Sequence, residues 1–337
     1  MTTLKAAVIG CGAIAHHCHI PGYLAAKNVE IVAVVDPNKK NRDSAKEKFK
    51  IPKGYTDAEA MLRAEKPDMV SVCSPNRFHV DQAIAALQNG CHVLCEKPMC
   101  VDAKDVKRIE AAVKKSGKLF MMAFTHRTFQ GNIKAKKALD RGDIGKPFMI
   151  RIRFAHSGPD QGWMMSQSFF TPAQSGGGAL FDMGIHAIDL ASFFFGKIAK
   201  VNGLTGTLVK NIPVEDNAIV QFQFASGALG YAEAGWTTQQ GFSGIELYGD
   251  QGCIVIDYND SAYILTGTTT ASGKRSMHKK IIEKEPLKGG WLTQMEMFIH
   301  CVKNNKQPEI GFDAGQHSIQ VALAAYESNQ KGKTVKL

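Results

Sequence analysis

The residues of this chain best spaced to do chemistry together are Asp182, His186 and Asp189, in the run Gly176-Gly177-Gly178-Ala179-Leu180-Phe181-Asp182-Met183-Gly184-Ile185-His186-Ala187-Ile188-Asp189. Three glycines end an irregular loop, and a helix-compatible stretch follows to about Phe195. At about 3.6 residues per turn, offsets of four and seven put the three side chains on one face. A carboxylate one turn from an imidazole can orient the ring and stabilise its protonated form, which a general base near neutral pH requires. Gly176, Gly177 and Gly178 are expected to let the backbone approach a ligand closely just before that face. The same pattern also serves structural faces, so the elements around it decide its meaning.

The N-terminal half supplies a second set. Residues 4–9 form an apolar strand pattern that runs into Gly10-Cys11-Gly12-Ala13-Ile14-Ala15, a GxGxxA turn, and then a helix pattern to about Ala26. A second apolar strand over 31–35 ends at Asp36. A GxGxxA turn between strand and helix, with an acid closing the next strand, predicts dinucleotide binding. Gly10 permits the tight turn, Gly12 admits the pyrophosphate, and Ala15 keeps helix and strand close. The N–H groups of Ala13, Ile14 and the helix start face the phosphates. Asp36 accepts the adenosine ribose hydroxyls and disfavours a 2′-phosphate, so NAD is the expected cofactor. Lys39, Lys40 and Arg42 follow closely and leave NADP open.

Helix patterns over 38–49, 57–64, 78–89 and 103–116 alternate with strands over 69–73, 91–95 and 119–123. That rhythm predicts a doubly wound parallel sheet over 1–123, with ligands beyond the carboxyl ends of its strands. Two polar clusters lie at such ends: Ser74-Pro75-Asn76 with His79, and Glu96-Lys97-Pro98. From 124 to 337 the pattern changes to a helix over 130–141, a strand over 148–155 and a polar, aromatic loop over 157–174. After the glycine run come short alternating strands over 201–208, 218–224, 228–236, 244–248, 253–258 and 262–265. Helices over 291–304 and 314–330 and a strand over 334–337 close the chain. The expectation is an α+β domain with a large, mainly antiparallel sheet open on one face.

Bulk properties narrow the class. A chain of 337 residues favours two domains, because single cores stop growing near about 250–300 residues. The net charge of +10 comes from scattered basic pairs with no basic arm or zinc finger, so no nucleic-acid partner is expected. Neither a signal peptide nor an apolar run of about 18 residues is evident, so no membrane association is expected. Cys91, Cys95 and Cys100 lack zinc spacing, and His16, His17, Cys18 and His19 point different ways on a helix. No metal site and a reduced, cytoplasmic protein are the expectation.

Taken in order, these motifs resemble the Gfo/Idh/MocA oxidoreductases, the group of glucose–fructose oxidoreductase and inositol dehydrogenase. The likeness rests on GxGxxA, Ser74-Pro75-Asn76 with His79, Glu96-Lys97-Pro98, Trp163, the glycine run with Asp182, Gly184, His186 and Asp189, and the tail Ala325-Tyr326-Glu327-Ser328. It implies that Lys97, Asp182 and His186 are catalytic. It places Glu96 and Lys97 beside the nicotinamide and Ser74, Pro75 and Asn76 along its ribose. It also implies sugar or cyclitol substrates and a homodimer or homotetramer through the open sheets.

Together these readings predict an NAD(P)-dependent dehydrogenase of a secondary hydroxyl, with the substrate in a cleft between the domains. His186 takes the hydroxyl proton with Asp182 holding its ring, and Lys97 stabilises the alkoxide. Arg127, His156 and Trp163 are candidate substrate contacts, with His126 and Arg153 behind them. Two other classes use much the same residues: an NAD-dependent glycosidase that oxidises a sugar transiently, and a non-catalytic sugar-sensing regulator.

Overall fold

The computed structural model describes residues 3–160, 166–238, 241–269, 272–273 and 275–337. Trp163 lies outside them. The chain divides into two compact units. The first holds Met1–Phe124 with Pro159–Gly176 and Trp291–Ile319; the second holds Thr125–Gly158, Gly177–Gly290 and Gln320–Leu337.

In the first unit β1 (Leu4–Ile9), β2 (Val29–Val35), β3 (Lys53–Tyr55), β4 (Met69–Val72), β5 (His92–Cys95) and β6 (Phe120–Met122) form one sheet, ordered β3-β2-β1-β4-β5-β6. Every pair is parallel. Helices cover both faces of such a sheet, so its strands are apolar throughout instead of alternating: Ala6, Ala7, Val8, Val70, Val93 and Leu94 have no exposed surface. Strand order reverses between β1 and β4, and the crevice for a ligand opens there. The connecting helices start where short polar side chains cap them. Asn38 accepts from the N–H of Lys40 and Asn41, Asp57 from Ala60, and Asp102 from Lys104. The short β3 carried no apolar signal because it is an edge strand.

The chain returns twice to this unit. Helix Gly290–Asn304 lays Met295 where a Cβ on Gly22 would sit, and the Met122 N–H donates to Ile310 O at 2.7 Å.

In the second unit β7 (Pro147–Ala155), β8 (Ile198–Gly206), β9 (Asn217–Phe224), β10 (Leu229–Gly235), β11 (Gly244–Gly249), β12 (Gly252–Asp257), β13 (Ala262–Thr269), β14 (Arg275–Glu283) and β15 (Val335–Lys336) form one sheet. Its order is β14-β13-β12-β11-β7-β10-β9-β8-β15. Among the described strands of this sheet, only β7 and β10 pair in parallel. Along β9 burial alternates, with Ala218, Val220, Phe222 and Phe224 inward, as a sheet with one covered face requires. β14 was not expected: Met277, Ile281 and Ile282 are the apolar residues of its nine and do not alternate, and it is held by pairing to β13.

Against the expectation of no membrane-length apolar run, an 18-residue window within Pro172–Phe195 is apolar enough to cross a membrane by length and composition, with mean hydropathy 1.3. That window is 78% buried inside the protein, so its apolarity is that of a core segment.

Candidate active site

The first unit contains a groove of about 1120 Å³ over the β1/β4 switch point. At one end is the glycine turn. Gly10 has φ +92°, and a Cβ there would lie 2.6 Å from the Cys73 carbonyl, so glycine is required. A Cβ on Gly12 would meet nothing within 4 Å, because that position opens on the groove. Ala15 is fully buried where helix meets strand. Asp36, at the end of β2, accepts the Cys11 N–H at 2.9 Å and the Asn38 N–H at 2.8 Å, and lines the groove. Of the three basic residues expected near a 2′-phosphate, Lys40 alone lines the groove. Arg42 donates to the Asp36 carbonyl at 2.8 Å, and Lys39 pairs with Asp43.

The other end is built by the loops after β4 and β5. His79 Nδ1 lies 2.7 Å from Pro98 O and its Nε2 2.8 Å from Ser74 O, bracing the two loops together. Burial pushes the pKa of His79 down, and the two carbonyls oppose that. Ser74 donates to Gln82, and Asn76 Nδ2 donates to Ser175 O at 2.9 Å. Ser74, Pro75, Asn76, Glu96 and Lys97 all line the groove. A wall that no motif announced is also present: Ser166, Ser168, Phe169 and Gln174 line it too. An extended groove with a glycine turn open at Gly12, an acid at the β2 end and a lysine at the far end fits a dinucleotide.

The second unit carries the Asp182 and His186 set. Sequence periodicity treats 180–195 as one α-helix. Instead a wider π turn, Leu180–Gly184, precedes helix Ile185–Phe195. Asp182 sits in that turn, buried, and its Oδ2 accepts from Trp236 Nε1 at 3.0 Å. His156 Nε2 lies 3.7 Å from the same oxygen. Because His156 Nδ1 accepts the Gly158 N–H at 2.9 Å, the ring proton is on Nε2, facing Asp182. His186 is buried, and its ring centroid is 4.4 Å from that of His126, which in turn packs on Phe129, Phe154 and Tyr258. The unit therefore gathers Asp182, His186, His156 and His126.

Two expectations change here. The glycine run does not make room for a ligand; it makes room for the protein itself. A Cβ on Gly176 would strike Val101, one on Gly177 the Tyr326 hydroxyl, and one on Gly178 the Glu215 carbonyl. Glu215 Oε1 then accepts the N–H of Gly178 at 2.8 Å and of Leu180 at 3.1 Å, and the Tyr326 hydroxyl at 2.6 Å. That clamp sets where the turn bearing Asp182 begins. Arg127 was expected at the substrate, yet its Nε and Nη2 are taken by Asp189 at 2.8 and 2.6 Å, and it stacks on Phe193. Asp189 belongs to this ion pair.

Trp236 carried no signal in the sequence. Its backbone N–H donates to Asp216 O at 2.8 Å, and the Asp216 carboxylate anchors a loop by accepting the N–H groups of Leu208, Val209 and Lys210, each at 2.8 Å. Burial pushes the pKa of Asp216 up, but the backbone donors and Asn217 together outweigh it and hold the carboxyl below its usual value. A depressed folded pKa contributes stability above the unfolded value of about 3.9, lost as pH falls through the folded one. Asp216→Asn is therefore expected to cost about 1–3 kcal/mol near pH 7 and to flatten the acid limb of thermal stability below about pH 4. Melting curves across pH read both, and an unchanged acid limb would show that Asp216 is not the group concerned.

Residues 4–124 match the oxidoreductase family with an NAD-binding Rossmann fold, and residues 132–255 match the GFO/IDH/MocA C-terminal domain. The chain is 28% identical to the D-glucoside 3-dehydrogenase of Escherichia coli K12, across 99% of this chain and 97% of that protein. It is 26% identical to the myo-inositol 2-dehydrogenase of Thermotoga maritima, across 99% and 98%. Among solved structures, levoglucosan dehydrogenase in complex with NADH and L-sorbose superposes with a TM-score of 0.88 at 23% identity, covering 100% of this chain and 99% of that one, which shows the shared fold. With its glycine turn, its Glu96-Lys97-Pro98 loop and its mixed nine-stranded sheet, this chain belongs to the Gfo/Idh/MocA oxidoreductases, NAD-binding enzymes that act on CH–OH groups.

Proposed function

We propose that the protein oxidises a secondary hydroxyl of a sugar or cyclitol, or reduces the corresponding ketone, with NAD as coenzyme. The observation that carries this is a continuous groove joining the glycine turn and Asp36 to Lys97. The glucoside and inositol named for its relatives support the substrate class. Gly10, Gly12, Ala13, Ile14, Ala15 and Asp36 would hold the adenosine and phosphates. Ser74, Pro75, Asn76, His79, Glu96 and Lys97 would hold the nicotinamide half. When bound, NAD supplies the hydride acceptor at C4 of its nicotinamide. His186 removes the proton of the substrate hydroxyl, and Lys97 stabilises the alkoxide by its charge. Asp182, fixed by Trp236 and facing His156, keeps negative charge near the base and so favours the imidazolium that forms. In ketone reduction the same groups run in reverse, His186 returning the proton. His156, Trp163 and His126 are proposed to contact the sugar. The exposed Leu204 and Ile219, paired across β8 and β9, support association through the open sheet, which light scattering in solution would read.

The test is absorbance in the reduced-nicotinamide band with NAD across cyclitols, aldoses and glycosides. NADH formed with a keto product supports the proposal. Glycoside cleavage without net NADH would identify the transient-oxidation glycosidase, and tight NAD binding without turnover would identify a sensor. Coenzyme choice has its own check. Asp36→Ser is expected to raise the NAD dissociation constant about tenfold and to weaken NADP less. Equal weakening of both would mean that Asp36 serves only the glycine turn.

A further inference from the structure

Behind Glu96 the dehydrogenase mechanism leaves the buried side chains of His19, Ser71 and Tyr23 unused, and a role for them rests on the coenzyme placement proposed for the groove. His19 ends the wide helical turn Ala15–His19 and has no exposed surface. Its Nε2 lies 2.8 Å from Glu96 Oε1 and its Nδ1 2.9 Å from Ser71 Oγ. Ser71 Oγ lies 2.8 Å from the Tyr23 hydroxyl, and both residues are fully buried. At the other end Glu96 Oε2 accepts the Lys97 N–H at 3.2 Å, and Glu96, 7% exposed, lines the groove. Glu96 and His19 are 77 positions apart, so nothing local brings them together.

The polarity of this chain follows from counting protons. Burial pushes the pKa of Tyr23 up, so its hydroxyl keeps its proton and needs an acceptor. Ser71 Oγ is that acceptor, which sends the serine proton on to His19 Nδ1. The ring proton then sits on Nε2 and points at Glu96, which accepts as a carboxylate. Reversing the chain would leave the Tyr23 proton unsatisfied in an apolar interior. The series ends on the buried Tyr23 and has no outlet to solvent there, so it orients Glu96 and does not conduct protons.

We propose that His19 is a positioning residue: through Tyr23, Ser71 and His19 the fold fixes Glu96 as an ionised acceptor facing the nicotinamide end of the groove, and thereby favours the oxidised coenzyme over the reduced one. The oxidised nicotinamide ring carries a positive charge and the reduced ring does not, so a fixed carboxylate on this wall discriminates between them. Lys97 contributes its own charge equally in the wild-type chain and in every variant tested, so it cancels from the comparison.

The experiment needs no sugar. Dissociation constants of the full-length protein are measured for NAD by calorimetry and for NADH by fluorescence, and their ratio is compared between variants. Glu96→Gln and His19→Leu are each expected to lower the preference for NAD about tenfold, and the double variant to lower it no further than either alone. His19→Gln, which retains an N–H donor toward Glu96, should restore most of the preference. Equal weakening of both coenzyme forms in His19→Leu, or an unchanged ratio, would overturn the proposal and leave His19 a packing residue. Should His19→Leu fail to fold, Ser71→Ala cuts the chain above the ring, and an unchanged ratio in that folded variant overturns the proposal equally. A failure of the dehydrogenase assignment would appear in the sugar panel and leave this ratio untouched.

Discussion

His186→Ala is expected to lower kcat for the best substrate about 10²–10⁴-fold, the usual contribution of a positioned general base, while the NAD dissociation constant stays within about twofold. The separation follows from location. His186 packs on His126 and is not among the residues that line the dinucleotide groove. Lys97→Met is expected to lower kcat about 10²–10³-fold, because it removes the charge proposed to stabilise the alkoxide. Lys97 lines the groove, so here coenzyme affinity should shift as well. If the two residues serve one proton transfer, the double variant will fall far short of the product of the single losses. Steady-state kinetics with both variants and their combination measure this. Full activity of His186→Ala would remove it from the mechanism.

The largest stability effect is expected at Arg127. Asp189 is 1% exposed, and Arg127 holds its carboxylate in a bidentate pair. Burial pushes the Asp189 carboxyl up and Arg127 opposes that. Arg127→Met removes the opposing charge and is expected to cost about 3–5 kcal/mol, a fall in Tm of roughly 4–7 °C for a chain of 337 residues. The loss should depend on pH in one direction. Without Arg127 the folded carboxyl titrates still higher, so the variant is less destabilised at acid pH, where Asp189 is protonated, and more so as pH rises. Arg127→Met with Asp189→Leu should recover much of the loss, since an apolar pair can replace a buried ion pair. Asp189 lies one turn beyond His186 on the same helix. The activity of the double variant therefore also shows whether the pair steadies the base. A loss below about 1 kcal/mol for Arg127→Met would mean that Asp189 is already neutral.

Much of this protein is legible along the chain because its signals are local. The turn Gly10 to Ala15 declares a strand-to-helix crossing at a phosphate, and the alternation of apolar strands with capped helices declares a parallel sheet. Asp36, Ser74 to Asn76 and Glu96 to Lys97 stand at strand ends in the sequence, and the β1/β4 reversal carries them to one groove.

Tertiary structure alone decided the rest, because the partners are far apart and follow no period. Asp182 is held by Trp236, 54 positions away, and Glu96 by His19, 77 positions away. Gly177 and Gly178 suggest an approach to a ligand until Tyr326 and Glu215 are seen to fill the space, and Arg127 suggests a substrate contact until Asp189 is seen to occupy it. A glycine or an arginine in a sequence states what conformations and charges are possible. Which neighbour uses them depends on where a distant strand or helix returns, and that is settled only when the whole core packs.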